Sequence, residues 1–334
     1  MTAVADGKAS DRFHPRQWMG EGVKRISTAG TLAIVLVAEM VFLGLRAPDF
    51  LTLANFPAAT VQVSVLAVVC VGMTFGLISG ALDISIGSTM ALSGCVLSRV
   101  AASGRPGWEA VGLAVLIGLT VGLVNGVVVV FGRVNPIVAT LGMLGIARGL
   151  AYIVSGSSFI ATQSSVGDAV YAPLQGNIFS IPRAFLFALI IVLVGYVLLH
   201  KTRFGTYAFA IGADPEAARV AAIPVDRLRI VYLAISGFCA GLAGWVLASE
   251  ANGVGGNSAL GYELIVMTAV ILGGAGLAGG TGSMIGTGFA VIALGLVYNG
   301  MGLMGAPIFY EFLVPGLFLI GAVWLDSFRS GGYR

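Results

Sequence analysis

Asp83 and Ser85 sit in Gly80-Ala81-Leu82-Asp83-Ile84-Ser85-Ile86-Gly87-Ser88, a polar break between two apolar runs. A carboxylate at the centre of a bilayer costs roughly 2.5–3.5 kcal/mol, so an aspartate there has a task. Two tasks fit. Asp83 caps the helix that follows, where its charge also complements the helix dipole, or it contacts a substrate. The cap, holding the break open, is the simpler expectation. Other polar groups interrupt apolar runs at Glu39, Gln62, Asn125, Thr140, Arg148 and Asn299. Such groups face the interior of a helix bundle, as packing hydrogen bonds or as the lining of a pathway. Asn125, Thr140 and Asn299 join Asp83 and Ser85 as candidates for a helix break or pathway.

A second constellation lies outside the apolar runs. Residues 201–229, KTRFGTYAFAIGADPEAARVAAIPVDRLR, form the one long charged segment between apolar runs. Asp214 is a good N-cap, Pro215 suits the first helical position, and Glu216 is favourable in the first turn. Pro224 disfavours helix at Ile223. The spacing predicts a helix of about two turns over 214–222, roughly 12 Å at 1.5 Å per residue. Its slim, alanine-rich face suits a groove on another protein, with Glu216, Ala217, Ala218 and Arg219 against the partner.

Catalytic chemistry has no visible residues. There is no G-x-x-x-x-G-K-[ST] loop; the lysines are Lys8, Lys24 and Lys201, and Lys201-Thr202 follows His200 rather than Gly. His14 and His200 form no metal set. Cys70, Cys95 and Cys239 lie in apolar runs without Cys-x-x-Cys spacing and read as buried hydrophobes. No nucleophile–base pair stands out. The expectation is no enzyme activity, no cofactor and no metal. The net charge of +3 resides in juxtamembrane loops and does not point to nucleic acid. Proton-coupled transport needs midplane carboxylates. Glu39 is the one clear candidate, and a packing role for it is equally open.

The elements that must position these groups follow from composition. Hydrophobic residues make up 57% of 334 and charged residues 10%, against about 25% charged in soluble domains. Apolar segments of about 20 residues cross a bilayer as helices. The chain therefore reads as an all-α, polytopic helical bundle in contact with lipid. About ten spans are expected, near residues 29–46, 57–78, 84–103, 108–131, 136–155, 184–200, 229–249, 262–280, 284–304 and 308–326. The expected organisation is a polar N-terminal tail over 1–27, a transmembrane domain over 28–328 that includes the 201–229 loop, and a tail over 329–334.

With the N-terminus in the cytoplasm, Arg46, Arg99, Arg105 and Arg183 fall outside, Arg148 falls in a span, and the other thirteen of 18 Lys and Arg fall inside. That bias places both termini and the 201–229 loop in the cytoplasm. The longest outside loop, about 156–183, is either a connector or a contact for an extracytoplasmic partner. Glycine, 49 residues, concentrates within the spans. Small residues allow close helix approach, and GGAGLAGGTGSMIGTG at 273–288 is expected to break its helix.

Several of these segments resemble one family. Gly80–Gly87 is similar to G-G-x-D-[LI]-S-[VI]-G. The same holds for Asn135-Pro136-Ile137-Val138-Ala139-Thr140-Leu141-Gly142 with Arg148-Gly149, for Ala213–Ile223 (N-x-E-A-A-R-x-[SA]-G-I), and for Gly261-Tyr262-Glu263-Leu264 with Ala269–Gly274. Gly279-Gly280-Thr281-Gly282 and Asn299-Gly300 complete the set. Over roughly residues 50–326 the chain resembles the permease subunit of bacterial ABC importers for monosaccharides, related to branched-chain amino-acid permeases. The resemblance implies an inner-membrane protein, a separate ABC ATPase docking on Asp214, Glu216, Ala217, Ala218, Arg219 and Ala222, a periplasmic substrate-binding protein, and a second permease copy. A branched-chain amino-acid or nucleoside permease, and an ion-coupled secondary transporter, are the alternatives. The chain departs from the pattern at Ala81, Asp214 and Ala222. Ala222 in place of glycine is expected to stiffen the loop helix.

Overall fold

The computed structural model describes residues 28–162, 169–307 and 309–330. The expected tail over 1–27 and residues 331–334 lie outside them. The helices follow the apolar runs. Helix α1 spans Thr28–Arg46, α2 Phe56–Ile78, α3 Ile86–Ala102, α4 Gly107–Phe131 and α5 Pro136–Ser155. After strands β1 (Phe159–Ala161), β2 (Asn177–Ile178) and β3 (Ile181–Pro182) come α6 (Arg183–Lys201), α7 (Arg203–Ala213), α8 (Pro215–Val220) and α9 (Val225–Ala251). Strand β4 (Gly253–Gly255), α10 (Tyr262–Leu272), α11 (Met284–Leu303) and α12 (Tyr310–Ser330) complete the described elements. Each expected span contains a helix. Six of them, α2, α4, α5, α6, α9 and α11, are long and apolar enough to cross a membrane.

The purely helical expectation needs amending. Helices dominate, but β1 pairs antiparallel with β4, Ile160 opposite Val254, and β2 pairs with β3. These short ladders fold much of the 156–183 loop onto the end of the bundle. Two expected spans are also shorter than drawn. Helix α3 has 17 residues and α10 has 11, about 25 and 16 Å at 1.5 Å per residue against a hydrocarbon thickness of about 30 Å. Helix α10 stops at Leu272 because Gly274 adopts φ +99° and the Ala275 amide bonds back to the Val270 carbonyl at 3.1 Å. The break expected at 273–288 is therefore present, and it shortens the span placed at 262–280. At the other terminus α12 continues through Ser330, so residues 329 and 330 are helical.

Helices α2 and α9 form the buried axis, with Leu66, Val69, Met73 and Phe75 meeting Tyr232, Ala240 and Val246 in one core. Helix α4 lies against α9 along a glycine seam. A Cβ at Gly118 or Gly122 would collide with the Gly237 or Leu233 carbonyl oxygen. Small residues four apart are what let two helices approach this closely in lipid. The seam continues to Gly126, where a Cβ would stand 2.8 Å from the Ile230 Cα, beside Asn125 of α4.

Candidate functional site

The polar break between α2 and α3 is built by two local devices. Helix α2 ends in a glycine cap. Gly80 has φ +73°, its amide bonds the Leu77 carbonyl at 3.0 Å, and the Ala81 amide bonds the Gly76 carbonyl at 2.8 Å. Helix α3 then starts at Ile86 with Ser85 in the cap position, yet the Ser85 side chain makes no capping bond. Its hydroxyl donates instead to Asp83 Oδ1 at 2.6 Å, and its amide donates to the same oxygen at 3.0 Å. The expectation that Asp83 itself caps α3 is thus corrected. Asp83 folds the approach to the cap, a turn closed two residues on.

Asp83 is also a hub. Oδ2 accepts from the Ser236 hydroxyl at 2.8 Å, while Asn125 Nδ2 donates to Ser85 Oγ at 2.9 Å and lies 3.4 Å from Asp83 Oδ1. Thr140 Oγ1 accepts from the Ile84 amide at 3.1 Å. The residue is 1% exposed, and no ion pair joins it to a described Lys, Arg or His. Four of the five sequence candidates, Asp83, Ser85, Asn125 and Thr140, therefore meet in one network that ties the break to α4, α5 and α9. The fifth does not. Asn299 pairs reciprocally with Asn55, Asn55 Nδ2 to Asn299 Oδ1 at 2.7 Å and Asn299 Nδ2 to Asn55 Oδ1 at 3.0 Å, where α2 begins.

Ser236 and Asn55 were not singled out in the sequence. Ser236 carries no local signal, since a serine in an apolar helix commonly bonds its own backbone. Asn55 does, because it precedes Phe56-Pro57 and so marks a helix start.

The charged loop holds two helices where one was expected. Helix α7 leaves α6 at Thr202, and the Tyr232 hydroxyl donates to the Phe204 carbonyl at 2.8 Å. Helix α8 is capped as its sequence dictates. Asp214 Oδ1 accepts from the amides of Glu216 at 2.9 Å and Ala217 at 3.0 Å. Arg219 forks between Glu216 and Asp226 Oδ1, the latter at 2.9 Å. The hydrogen bond to Asp226, with Glu216 beside it, raises the Arg219 pKa above its ordinary value.

Two expectations for this loop change. The helix ends at Val220, and Ala222 stands beyond it at φ +59°. The Ala222 amide bonds the Arg219 carbonyl at 2.9 Å and the Ile223 amide bonds the Ala218 carbonyl at 3.0 Å. This is the same cap that Gly80 makes on α2, with alanine where glycine is favoured. Ala222 therefore strains the cap and does not stiffen the helix. Ala218 is 4% exposed and belongs to the chain's own core, so its methyl is not offered to a partner. The outward residues are Glu216, Ala217, Arg219, Val220 and Ala221. Val220 is an apolar side chain 90% exposed. Arg133, Asn135, Arg219, Asp226 and Arg229 line an open cleft beside α8.

The loop and the break touch through glycine. A Cβ at Gly212, near the end of α7, would collide with the Ile78 carbonyl oxygen and the Gly280 nitrogen. The Gly280 amide donates to that same Ile78 carbonyl at 2.8 Å. Backbone thus meets backbone among α7, the 279–282 turn and the end of α2. Arg148 does different work. Its guanidinium donates to the Gly256 and Ser258 carbonyls at 2.8 and 2.7 Å, pinning the approach to α10 onto α5.

A family model described as branched-chain amino acid transport system, permease component, matches residues 56–323. This chain is a member of that permease family. The permease is 30% identical over 317 residues to the ribose import permease protein RbsC of Escherichia coli K12, covering 95% of this chain and 96% of the relative. It is 33% identical over 317 residues to the L-arabinose ABC transporter permease protein AraH of Azospirillum brasilense, covering 94% and 91%. With RbsC of Bacillus subtilis 168 it shares 31% over 284 residues, covering 85% and 88%. No solved structure matches. The matched range corresponds closely to the one the motifs suggested, and the family and these relatives are named as permease components of transport systems.

Proposed function

We propose that this permease carries a monosaccharide across the bacterial inner membrane as the spanning subunit of an ATP-driven importer. A separate ABC ATPase acts on α8, a periplasmic binding protein delivers sugar at the opposite end, and a second permease copy completes the pathway. The observation that carries the reading is the nearly end-to-end match to permeases named for ribose and L-arabinose. The chain has no P-loop, which fits a supply of energy from a separate ATPase. The topology that fits is about ten spans with both termini and α8 in the cytoplasm, from the lysine and arginine bias.

In this account the ATPase holds the outward face of α8, Glu216, Ala217, Val220 and Ala221. Movement of α8 is carried by α7 to Gly212. It then passes without intervening side chains to the Gly279–Gly280 turn and to Ile78. The Asp83 network makes α3, α4, α5 and α9 answer as one body at the break. The different-class alternative, an ion-coupled transporter, needs a buried carboxylate free to bind an ion. Asp83 has both oxygens engaged, whereas Glu39 Oε1 and Glu263 Oε2 are buried with no hydrogen-bond partner among the described residues, so the ATP-driven reading rests on the match to the named permeases and not on the carboxylates.

Affinity purification of the tagged chain from native membranes tests the proposal. A P-loop ATPase and a sugar-binding protein are expected to copurify. Recovery of an intact permease with neither, in a detergent that preserves such assemblies, overturns it.

A further inference from the structure

The open cleft beside α8 has a volume of about 660 Å³, within the range of roughly 300–1,000 Å³ usual for small-molecule sites. The end of α4 with its turn into α5, α8, and the first turns of α9 wall it. Its charge is unbalanced. Arg133, Arg219 and Arg229 border it against Asp226 alone, an excess of two positive charges. Arg219 is matched, by Glu216 and by Asp226 at 2.9 Å. No hydrogen bond or ion pair joins the Arg133 or Arg229 guanidinium to a described residue. Arg229 is half-buried, and its Nε is buried outright without an acceptor. A buried charged donor without a partner is costly and calls for an acceptor. Arg133 stands at φ +52°, directly after Gly132 at φ −75°. The left-handed position, which favours glycine, is thus held by an arginine bordering the cleft.

We infer that this cleft binds a soluble phosphate monoester, held between the Arg133 and Arg229 guanidinium groups. A guanidinium fork matches two phosphate oxygens at once. A monoester carries about −1.5 to −2 charges at pH 7, which complements the excess of two. A lipid phosphodiester carries a single negative charge and leaves one guanidinium unmatched. Asn135 adds donors of its own. Its Oδ1 accepts from the Ile137 amide at 2.9 Å, and its Nδ2 bonds no described residue. Val129 and Val134 give the cleft an apolar flank for the carbon skeleton of the ester. A neutral sugar gains none of the charge-assisted bonds, so the phosphate is the group selected. On the proposed topology this end of the bundle faces the cytoplasm, the compartment in which phosphoryl transfer from ATP makes such monoesters. The site stands apart from the importer reading and holds whether or not that reading does.

The test titrates the purified full chain with D-ribose 5-phosphate by calorimetry, in phosphatidylcholine nanodiscs. Saturable binding is expected, without competition from D-ribose. Arg229→Gln and Arg133→Gln are each expected to weaken it about tenfold or more, while Arg99→Gln, an exposed arginine at the end of α3, leaves it unchanged. Arg133 is itself exposed, so Arg133→Gln decides the matter should Arg229→Gln fail to fold. Lowering the pH from 7.5 to 5.5 is expected to weaken binding as the ester takes up its second proton, near pH 6. Nanodiscs containing phosphatidylglycerol separate the two sources of phosphate. Unchanged affinity there supports a soluble ligand, whereas binding abolished by phosphatidylglycerol assigns the cleft to a lipid headgroup and overturns the inference. Absence of binding to the native chain, or equal affinity in Arg133→Gln and Arg99→Gln, also overturns it. The titration uses the permease alone, so its failure leaves the importer reading intact, and failure of ATP-driven uptake leaves the site intact.

Discussion

Asp83→Leu and Asp83→Asn separate a structural carboxylate from a substrate-binding one. In the native network Oδ1 receives the Ser85 amide and hydroxyl, and Oδ2 receives the Ser236 hydroxyl. Leucine removes both oxygens. Ser236 recovers by turning to the carbonyl four residues back in α9, but the Ser85 amide and hydroxyl stay buried without acceptors. Each such group costs about 1–3 kcal/mol, so Asp83→Leu is expected to destabilise the permease by about 2–6 kcal/mol. At roughly 2 °C per kcal/mol, the apparent unfolding midpoint falls by about 4–12 °C, and folded yield falls with it. Asparagine keeps an acceptor for both Ser85 donors, and its amide donates to Ser236 Oγ. That loss is expected to stay below about 1 kcal/mol, with most uptake retained. The assay is thermal unfolding of the purified protein beside uptake in vesicles. Asp83→Asn with a native midpoint and no uptake refutes the structural role. Asp83→Leu with a native midpoint refutes the network arithmetic.

Further expectations concern the loop and its contacts. Ala222→Gly removes a left-handed alanine, worth about 1 kcal/mol or somewhat more, against an unfolded-state cost of about 0.4–1 kcal/mol. The net gain of about 0.5 kcal/mol should slow hydrogen exchange over 216–223 about twofold. Gly212→Ala forces backbone apart at Ile78 and Gly280 and should cost about 1–3 kcal/mol with a large loss of uptake. Gly142→Ala, which meets nothing within 4 Å, should be neutral in both measurements. Cysteines at Glu216 and Arg105, on a background lacking Cys70, Cys95 and Cys239, should label from opposite faces of the membrane, Glu216→Cys from the cytoplasm. Labelling of both from one face contradicts the proposed topology.

Much of this was legible in the residues because it is local. Apolar runs gave the helices, Asp214-Pro215 gave the start of α8, and the 273–288 glycines gave the break after α10. What was not legible depends on distant contacts. Ser236 becomes part of the Asp83 hub through the close approach of α9 to α2, where a Cβ at Gly72 would stand 2.7 Å from the Ser236 Cα. Ala218 looks like a docking residue in a six-residue helix until the orientation of that helix turns it inward. Ala222 reads as a helix former until the cap geometry puts it past the end at φ +59°. Length along the helix is limited in the same way, since a hydropathic run such as 262–280 continues through residues whose backbone has already turned.

ATP-driven sugar import through a chain without a P-loop is the central proposal. Its most direct test is uptake of labelled D-ribose and L-arabinose into liposomes holding the permease, its copurifying ATPase and the liganded binding protein. The account predicts uptake that requires ATP, survives collapse of ion gradients and is lost without the ATPase. Uptake by the permease alone, driven by an imposed proton or sodium gradient and indifferent to ATP, would contradict it.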